Sequence, residues 1–374
     1  MKTTTVTDIN TYLVVALLIV VGIGLYFTLS VPTPKPFVPP PLPEVQIMLL
    51  GKDCEDCFNG TEAVDFLKAQ KNLNVTDVKE FTLEESQQHV TQYGIERLPA
   101  IVVTGNITGL TLQNFEAKND ALVFVKAPPP YYDIASKSIK GKVTLIVLQD
   151  NTCDKCFNIS QISSQLTQLG IKMASERTVE AKSSEGKELI SKYKIEKVPT
   201  LIFNKEALEY DVIKQVWAQV GSEESDSNLV LRLINPPYLN VSTGKVDGLV
   251  EITYLSDQTC SECYNATTIK DLLKQSFNME FGTEKEVDVT STKGKSLMKK
   301  YSIELVPTVI LSADAAAYPT LGQAWPQAGT IEDDGVFVFR SLQMLDGQIY
   351  KNITSGEVLG KQEEAEITAP EAEQ

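Results

Sequence analysis

Three cysteine pairs of the form Cys-x-x-Cys, each with a proline-led apolar run at nearly the same distance behind it, constrain this chain more than any other feature. The pairs are Cys54 and Cys57, Cys153 and Cys156, Cys260 and Cys263. Their first cysteines lie 99 and 107 residues apart. The prolines Pro99, Pro199 and Pro307 follow 45, 46 and 47 residues later. A period of this kind signals repeated structural units. The pairs use all six cysteines, leaving none for an interchain bond. They also lie too far apart for a four-thiolate zinc site, whose halves are usually roughly 15–20 residues apart, so no metal is expected.

Each pair is preceded by an apolar run of strand type, at 45–50, 143–148 and 250–255. Each is followed by an aromatic residue and an asparagine: Phe58-Asn59, Phe157-Asn158 and Tyr264-Asn265. A helix-period stretch comes next, carried by Ala63, Phe66 and Leu67 in the first copy and by Ile159, Ile162 and Leu166 in the second. A second helical stretch ends at Tyr93, Tyr193 or Tyr301, and an apolar strand opens at the proline. The later copies match further along, pairing Trp217 with Trp325 and Arg232 with Arg340; the shorter first copy has Phe115 near that place. Closing segments begin at Tyr132, Tyr238 and Tyr350. The repeat predicts units over 44–140, 141–247 and 248–360, each long enough for a modest core.

Ahead of the repeats, residues 12–30 are almost continuously apolar and free of charge. That length as a helix matches a bilayer's hydrocarbon core. The exit at Phe27–Val31 is a poor cleavage site, so the segment is expected to stay as a single-pass anchor. Lys2 and the free amine place residues 1–11 in the cytoplasm, and the rest of the chain outside it. Residues 31–43, dense in proline, read as a stiff linker. Residues 361–374 carry acidic side chains with no apolar period and read as a disordered tail.

The chain holds 34 basic and 49 acidic residues, a net charge of −15, which argues against nucleic acid as a partner. Its single histidine, His89, excludes multi-histidine metal sites and reads as exposed. Seven asparagines stand in glycosylation sequons: Asn59, Asn74, Asn106, Asn158, Asn240, Asn265 and Asn352. Three of them stand two residues after a cysteine pair and are equally open to a local structural role. Trp217 and Trp325 are read as core. Pro128–Pro130 and Pro236–Pro237 are read as punctuation between units.

Strand, Cys-x-x-Cys, helix, strand, helix, then Val-Pro-Thr resembles the thioredoxin-like superfamily. The first copy has Leu-Pro-Ala instead. The resemblance covers 44–360 and implies an α/β fold: three tandem mixed sheets flanked by helices. It also implies cis peptides before Pro99, Pro199 and Pro307, facing the cysteines. Tandem units behind an anchor look like secreted disulfide isomerases. By that resemblance the six cysteines are catalytic, exchanging disulfides with protein thiols and needing no cofactor. Leu98-Pro99, Val198-Pro199 and Val306-Pro307 would present backbone to an extended substrate. The redox partner stays unspecified.

If the pair opens a helix, the helix dipole and free N–H groups favour thiolate at Cys54, Cys153 and Cys260. Cys57, Cys156 and Cys263 would be the more buried resolving thiols, and Asp53, Thr152 and Thr259 would cap the helices. Unlike thioredoxin, this chain has neither a tryptophan before the pair nor Gly-Pro within it. Thioredoxin's buried acid six residues upstream is Met48, Val147 or Tyr254 here. Acidic residues inside the pairs disfavour thiolate, least in the second unit, where Lys155 offsets Asp154. Cys153 is therefore expected to be the most reactive thiol. Two alternatives remain: a non-catalytic scaffold with permanently oxidised pairs, and a relay of electrons between units.

Overall fold

A computed structural model of the chain describes residues 41–360 apart from 343, 344 and 346. The expected span, most of the proline-rich linker and the acidic tail lie outside the described residues. Among the described residues no helix is long and apolar enough to cross a membrane.

Unit 1 contains β1 (Glu44–Leu50), α1 (Gly60–Lys68), β2 (Asn74–Phe81), α2 (Gln87–Tyr93), β3 (Arg97–Leu98), β4 (Ala100–Gly105), β5 (Phe115–Lys118), β6 (Ala121–Phe124), β7 (Tyr131–Asp133) and β8 (Ser138–Lys140). Unit 2 contains β9 (Val143–Gln149), α3 (Ser160–Gln168), β10 (Met173–Glu180), α4 (Ser184–Tyr193), β11 (Lys197–Val198), β12 (Thr200–Phe203), α5 (Asp211–Val220), β13 (Gly221–Glu223), β14 (Leu229–Leu231), β15 (Tyr238–Asn240) and β16 (Lys245–Asp247). Unit 3 contains β17 (Leu249–Ser256), α6 (Thr267–Phe277), β18 (Glu280–Asp288), α7 (Thr292–Tyr301), β19 (Leu305–Val306), β20 (Thr308–Leu311), α8 (Pro319–Ala328), β21 (Gly329–Ile331), β22 (Phe337–Phe339), β23 (Tyr350–Asn352) and β24 (Val358–Leu359).

Each unit is built on a five-stranded mixed sheet, ordered β2-β1-β4-β6-β5 in the first and equivalently in the others. The first strand of each unit runs parallel to the second and antiparallel to the strand after the proline. Two helices on opposite faces bury separate apolar clusters. In unit 1, Val64 and Leu67 join Ile47 and Val103 on one face, while Val90 and Tyr93 join Leu98 and Val102 on the other. The thioredoxin-like mixed sheet, in three tandem copies, is thus what the chain forms.

Units 2 and 3 add a helix between the post-proline strand and the next. α5 and α8 bury Trp217 and Trp325, 7% and 2% exposed, edge-on against Phe203 and Phe337. Both tryptophans are core, as the sequence suggests. Gly221 makes this possible: a Cβ there would lie 2.5 Å from the Trp217 ring. In unit 1 the helix is absent, and Phe115 occupies the sheet position of Gly221. Phe115 pairs with Phe124 as Gly221 pairs with Leu231.

A second, three-stranded sheet closes each unit, ordered β3-β7-β8, β11-β15-β16 and β19-β23-β24. Its register corrects the sequence alignment by one residue. Leu98 pairs with Tyr132 as Val198 pairs with Leu239, so the counterpart of Tyr238 is Tyr131. Units 1 and 2 meet through polar contacts. Tyr131 donates its hydroxyl to Glu209 at 2.6 Å, and Lys140 Nζ lies 3.9 Å from Glu206. Ala317 stands in unit 3 where unit 2 has Glu209. His89 is not simply exposed: it is half-buried beside Phe81, ring centroids 4.8 Å apart.

Candidate functional site

All three cysteine pairs are closed disulfides, with Cα separations of 5.3–5.4 Å. The peptides before Pro99, Pro199 and Pro307 are cis. In unit 2, Cys153, Cys156 and Pro199 line one cavity of about 310 Å³. In unit 1, Cys54, Cys57 and Pro99 line one of about 250 Å³. Sequence-distant cysteines and proline therefore share a concave site.

The local backbone differs from the expectation. The pair does not open a helix. It forms a turn, with the second cysteine's N–H donating to the carbonyl of the first, at 3.1 Å in unit 1 and 3.2 Å in unit 2. The helix begins three or four residues after the second cysteine. The reason lies in the following aromatic residue. Its N–H is taken by a distant carbonyl: Phe58 by Pro130, Phe157 by Pro237 and Tyr264 by Ile349. A helix running through the pair needs those N–H groups for itself.

Asparagine then starts the helix. Asn59 Oδ1 accepts from Thr61 N–H and Glu62 N–H, Asn158 from Ser160 N–H and Asn265 from Thr267 N–H. Asn59 is the N-cap of its helix, whereas Asn158 and Asn265 stand one residue before the caps Ile159 and Ala266 and turn the chain into the helix through a bond two residues on. Asp53, Thr152 and Thr259 do not cap: Asp53 accepts from Leu83 N–H, while the threonines bond to aspartates upstream. Without a helix end beside the sulfur, the expected dipole stabilisation of thiolate is weakened, since that effect is confined to a helix's first turn. Nor does burial divide each pair; both cysteines are half-buried in all three.

A buried acid sits three residues before the first cysteine in units 2 and 3, a feature the sequence reading missed. Asp150 lines the cavity shared by Cys153 and Cys156. Lys182 lies 3.0 Å from it, and Thr152 donates both N–H and hydroxyl. Asp257 is held by Lys351 at 2.6 Å and by Thr259. Burial pushes both carboxyls up, but the threonine and lysine hydrogen bonds together outweigh it and hold them below the ordinary carboxylate range. Unit 1 has Gly51 there, at φ +74°, where a Cβ would meet Leu98 Cβ at 2.9 Å. A side chain at that position is disfavoured by the positive φ together with the close approach of Leu98.

The residues before the prolines contribute their side chains to the core. Leu98, Val198 and Val306 are fully buried in the core. One edge of their backbone is already paired with the unit's own hairpin. Pro130 and Pro237, read as punctuation, supply the carbonyls that fix the cysteine turns. In unit 3, Tyr264 also donates its hydroxyl to Pro307 O at 2.8 Å, and burial raises its phenol's pKa. Of the sequon asparagines, Asn59, Asn74, Asn106, Asn158 and Asn265 are exposed. Asn240 and Asn352 are half-buried, each with Oδ1 accepting from backbone N–H groups of its hairpin turn.

No family model matches the chain, and no curated protein matches it. Among solved structures it is similar to ERdj5 form I, at 10% identity and TM-score 0.15, over 75% of this chain and 39% of that one. It is similar to the NTD_N/C domain of alkylhydroperoxide reductase AhpF from Enterococcus faecalis, at 19% identity and TM-score 0.14, over 46% and 81%. A third is a protein disulfide oxidoreductase from Aeropyrum pernix, at 13% identity and TM-score 0.13, over 46% and 77%. The chain thus spans about two fifths of the ERdj5 chain it matches. The units are thioredoxin-like on their own geometry: sheet order, cysteine turn and cis-proline.

Proposed function

We propose that this chain is a membrane-anchored thiol–disulfide exchange protein whose three units face away from the cytoplasm. The observation that carries the reading is the shared cavity of cysteine pair and cis-proline in units 1 and 2. The apolar segment 12–30 supports the anchor, and the use of every cysteine in a closed pair supports an oxidising compartment.

From the oxidised state, a substrate thiolate attacks one sulfur of a pair. That sulfur–sulfur bond breaks, and the other cysteine leaves as thiolate. A second substrate thiolate attacks the mixed disulfide and leaves an oxidised substrate and a reduced pair. Run in reverse, a thiolate of the reduced pair attacks a substrate disulfide. Isomerisation begins with that attack by the reduced pair; the freed substrate thiolate attacks another substrate disulfide, and the thiolate released there attacks the mixed disulfide and expels the cysteine as thiolate. Cys54, Cys57, Cys153, Cys156, Cys260 and Cys263 carry this chemistry in the proposal.

A scaffold role with permanently closed pairs is the second reading. The observation favouring it is the cysteine turn standing off the helix end. Insulin reduction and refolding of scrambled ribonuclease, with each pair changed to serine in turn, separate the two. Turnover that falls with specific pairs supports exchange; no turnover with any pair intact rejects it.

A further inference from the structure

The aromatic residue after each cysteine pair differs between the units by one hydroxyl. In units 1 and 2 it is phenylalanine. Phe58 lines the cavity shared by Cys54, Cys57 and Pro99, and Phe157 the one shared by Cys153, Cys156 and Pro199. Both phenylalanines are half-buried. In unit 3 it is Tyr264, 8% exposed and packed in the core with Ala266 and Ile269. Tyr264 is held at both ends: its N–H donates to Ile349 O at 2.9 Å and its hydroxyl to Pro307 O at 2.8 Å. The phenol thus runs from the cysteine turn to the proline, the two walls that enclose the cavity in the other units. The turn is gripped on its other flank as well. Lys351, in register with Val306 beside Pro307, holds Asp257 three residues ahead of Cys260. In unit 2 the residue at that register is Leu239, and Asp150 is held instead by Lys182, which follows β10.

We propose that Tyr264 keeps the third pair closed, so that exchange with protein substrates runs through Cys54–Cys57 and Cys153–Cys156 while Cys260–Cys263 stays oxidised. The inference rests on the exchange reading and divides the labour within it. Opening a pair requires an incoming thiolate to reach one sulfur, and it requires the turn to let the two sulfurs separate. Tyr264 opposes both. Its ring bridges the space between turn and proline, and its two hydrogen bonds fix the residue directly after Cys263. Shifting the ring strands a buried hydroxyl without a partner, which costs more than having no hydroxyl there. Phe58 and Phe157 carry no such penalty. The Lys351–Asp257 contact anchors the start of the same turn to the same strands, so the turn cannot swing away as a unit. Tyr264 is a positioning residue, acting on the pair through the turn.

The test equilibrates the full chain with mixtures of reduced and cyclic oxidised dithiothreitol, quenches in acid, alkylates free thiols and reads each pair by peptide mass spectrometry. Each dithiothreitol that opens a pair gives it two electrons and two protons and leaves as its own cyclic disulfide. The third pair should need a reduced-to-oxidised ratio about tenfold higher than the second. Y264F should lower that ratio about three- to tenfold, the worth of one hydrogen bond, and leave the other two pairs unmoved. F157Y should raise the ratio for the second pair. A tyrosine that only stabilised the fold would change the melting temperature without moving the third pair relative to the others. A third pair that opens with or before the second, or that Y264F leaves in place, overturns the proposal. Should Y264F fail to fold, F157Y decides by the same criterion. Insulin reduction by chains keeping one pair, with the other four cysteines changed to serine, separates this inference from the exchange reading. The third pair alone should be about tenfold slower than the first or second alone. Equal rates uphold exchange and overturn the proposal. No turnover by any of the three rejects exchange, and the order of opening still decides the role of Tyr264.

Discussion

Lys182 reaches across from the end of β10 to the buried carboxylate of Asp150, 3.0 Å away, and the same lysine bonds Thr152 Oγ1 at 2.7 Å. The ammonium and Thr152 together keep the acid ionised beside the second cysteine pair. A carboxyl whose folded pKa is depressed adds stability above its unfolded pKa of about 3.9 and loses it as pH falls through the lower folded value. D150N should therefore cost about 1–2 kcal/mol at neutral pH, the range of a charged hydrogen bond. Its penalty should shrink below about pH 4. Urea unfolding followed by circular dichroism from pH 2 to 7 measures this. A penalty that does not change with pH would contradict it.

Lys142 lies 2.7 Å from Asp56, inside the first cysteine turn. Removing that cation leaves the Asp56 charge unbalanced and disfavours thiolate at Cys54 and Cys57. K142M should slow alkylation of the reduced first pair at neutral pH by a factor of about two at low salt, because exposed pairs are worth less than about 1 kcal/mol. The difference should fade above about 0.5 M salt. Alkylation rates that salt leaves unchanged would remove the electrostatic explanation. The same assay ranks the three pairs and tests whether Cys153 is the most reactive.

Trp217 and Gly221 should be energetically coupled. W217A should cost about 3–5 kcal/mol as a large-to-small core change. G221A should cost about 1–3 kcal/mol by overpacking, because the new Cβ meets the indole. The double substitution should cost less than the sum, since removing the ring frees the space. Val230 O, 2.7 Å from the same Cβ, limits the relief. Additive losses in chemical denaturation would show that the contact is not shared.

The joint between units 1 and 2 depends on Tyr131 and Glu209, where burial and then the Glu209 hydrogen bond raise the phenol's pKa. Y131F and E209A should each loosen it, with a coupling of about 1–2 kcal/mol typical of a charge-assisted hydrogen bond. Protease susceptibility near residues 140–142 should rise in both variants. Unchanged digestion kinetics would assign the joint to other contacts.

Repeat number, first strands, helix-ending tyrosines and cysteine–proline pairing were legible because each depends on residue type at fixed spacing. Asp150 and Asp257 were not, because their lysines come from unrelated places. Lys182 follows β10, whereas Lys351 lies on β23 and reaches Asp257 across 94 residues. Aligning the copies cannot pair them. The helix start was misplaced for a similar reason: the N–H of Phe58 is claimed by Pro130, a tertiary bond that no local pattern announces. Asn59 carried a cap signal that also spelled a glycosylation sequon.

The closing hairpin has a consequence for biosynthesis. Each cysteine turn is fixed by a carbonyl from near the carboxy-terminal end of its own unit, Pro130 for Phe58 and Pro237 for Phe157. On a ribosome the first turn must wait for more than seventy further residues before its last hydrogen bond can form. The last contact of each cysteine turn therefore exists only once almost the whole of its unit has been made.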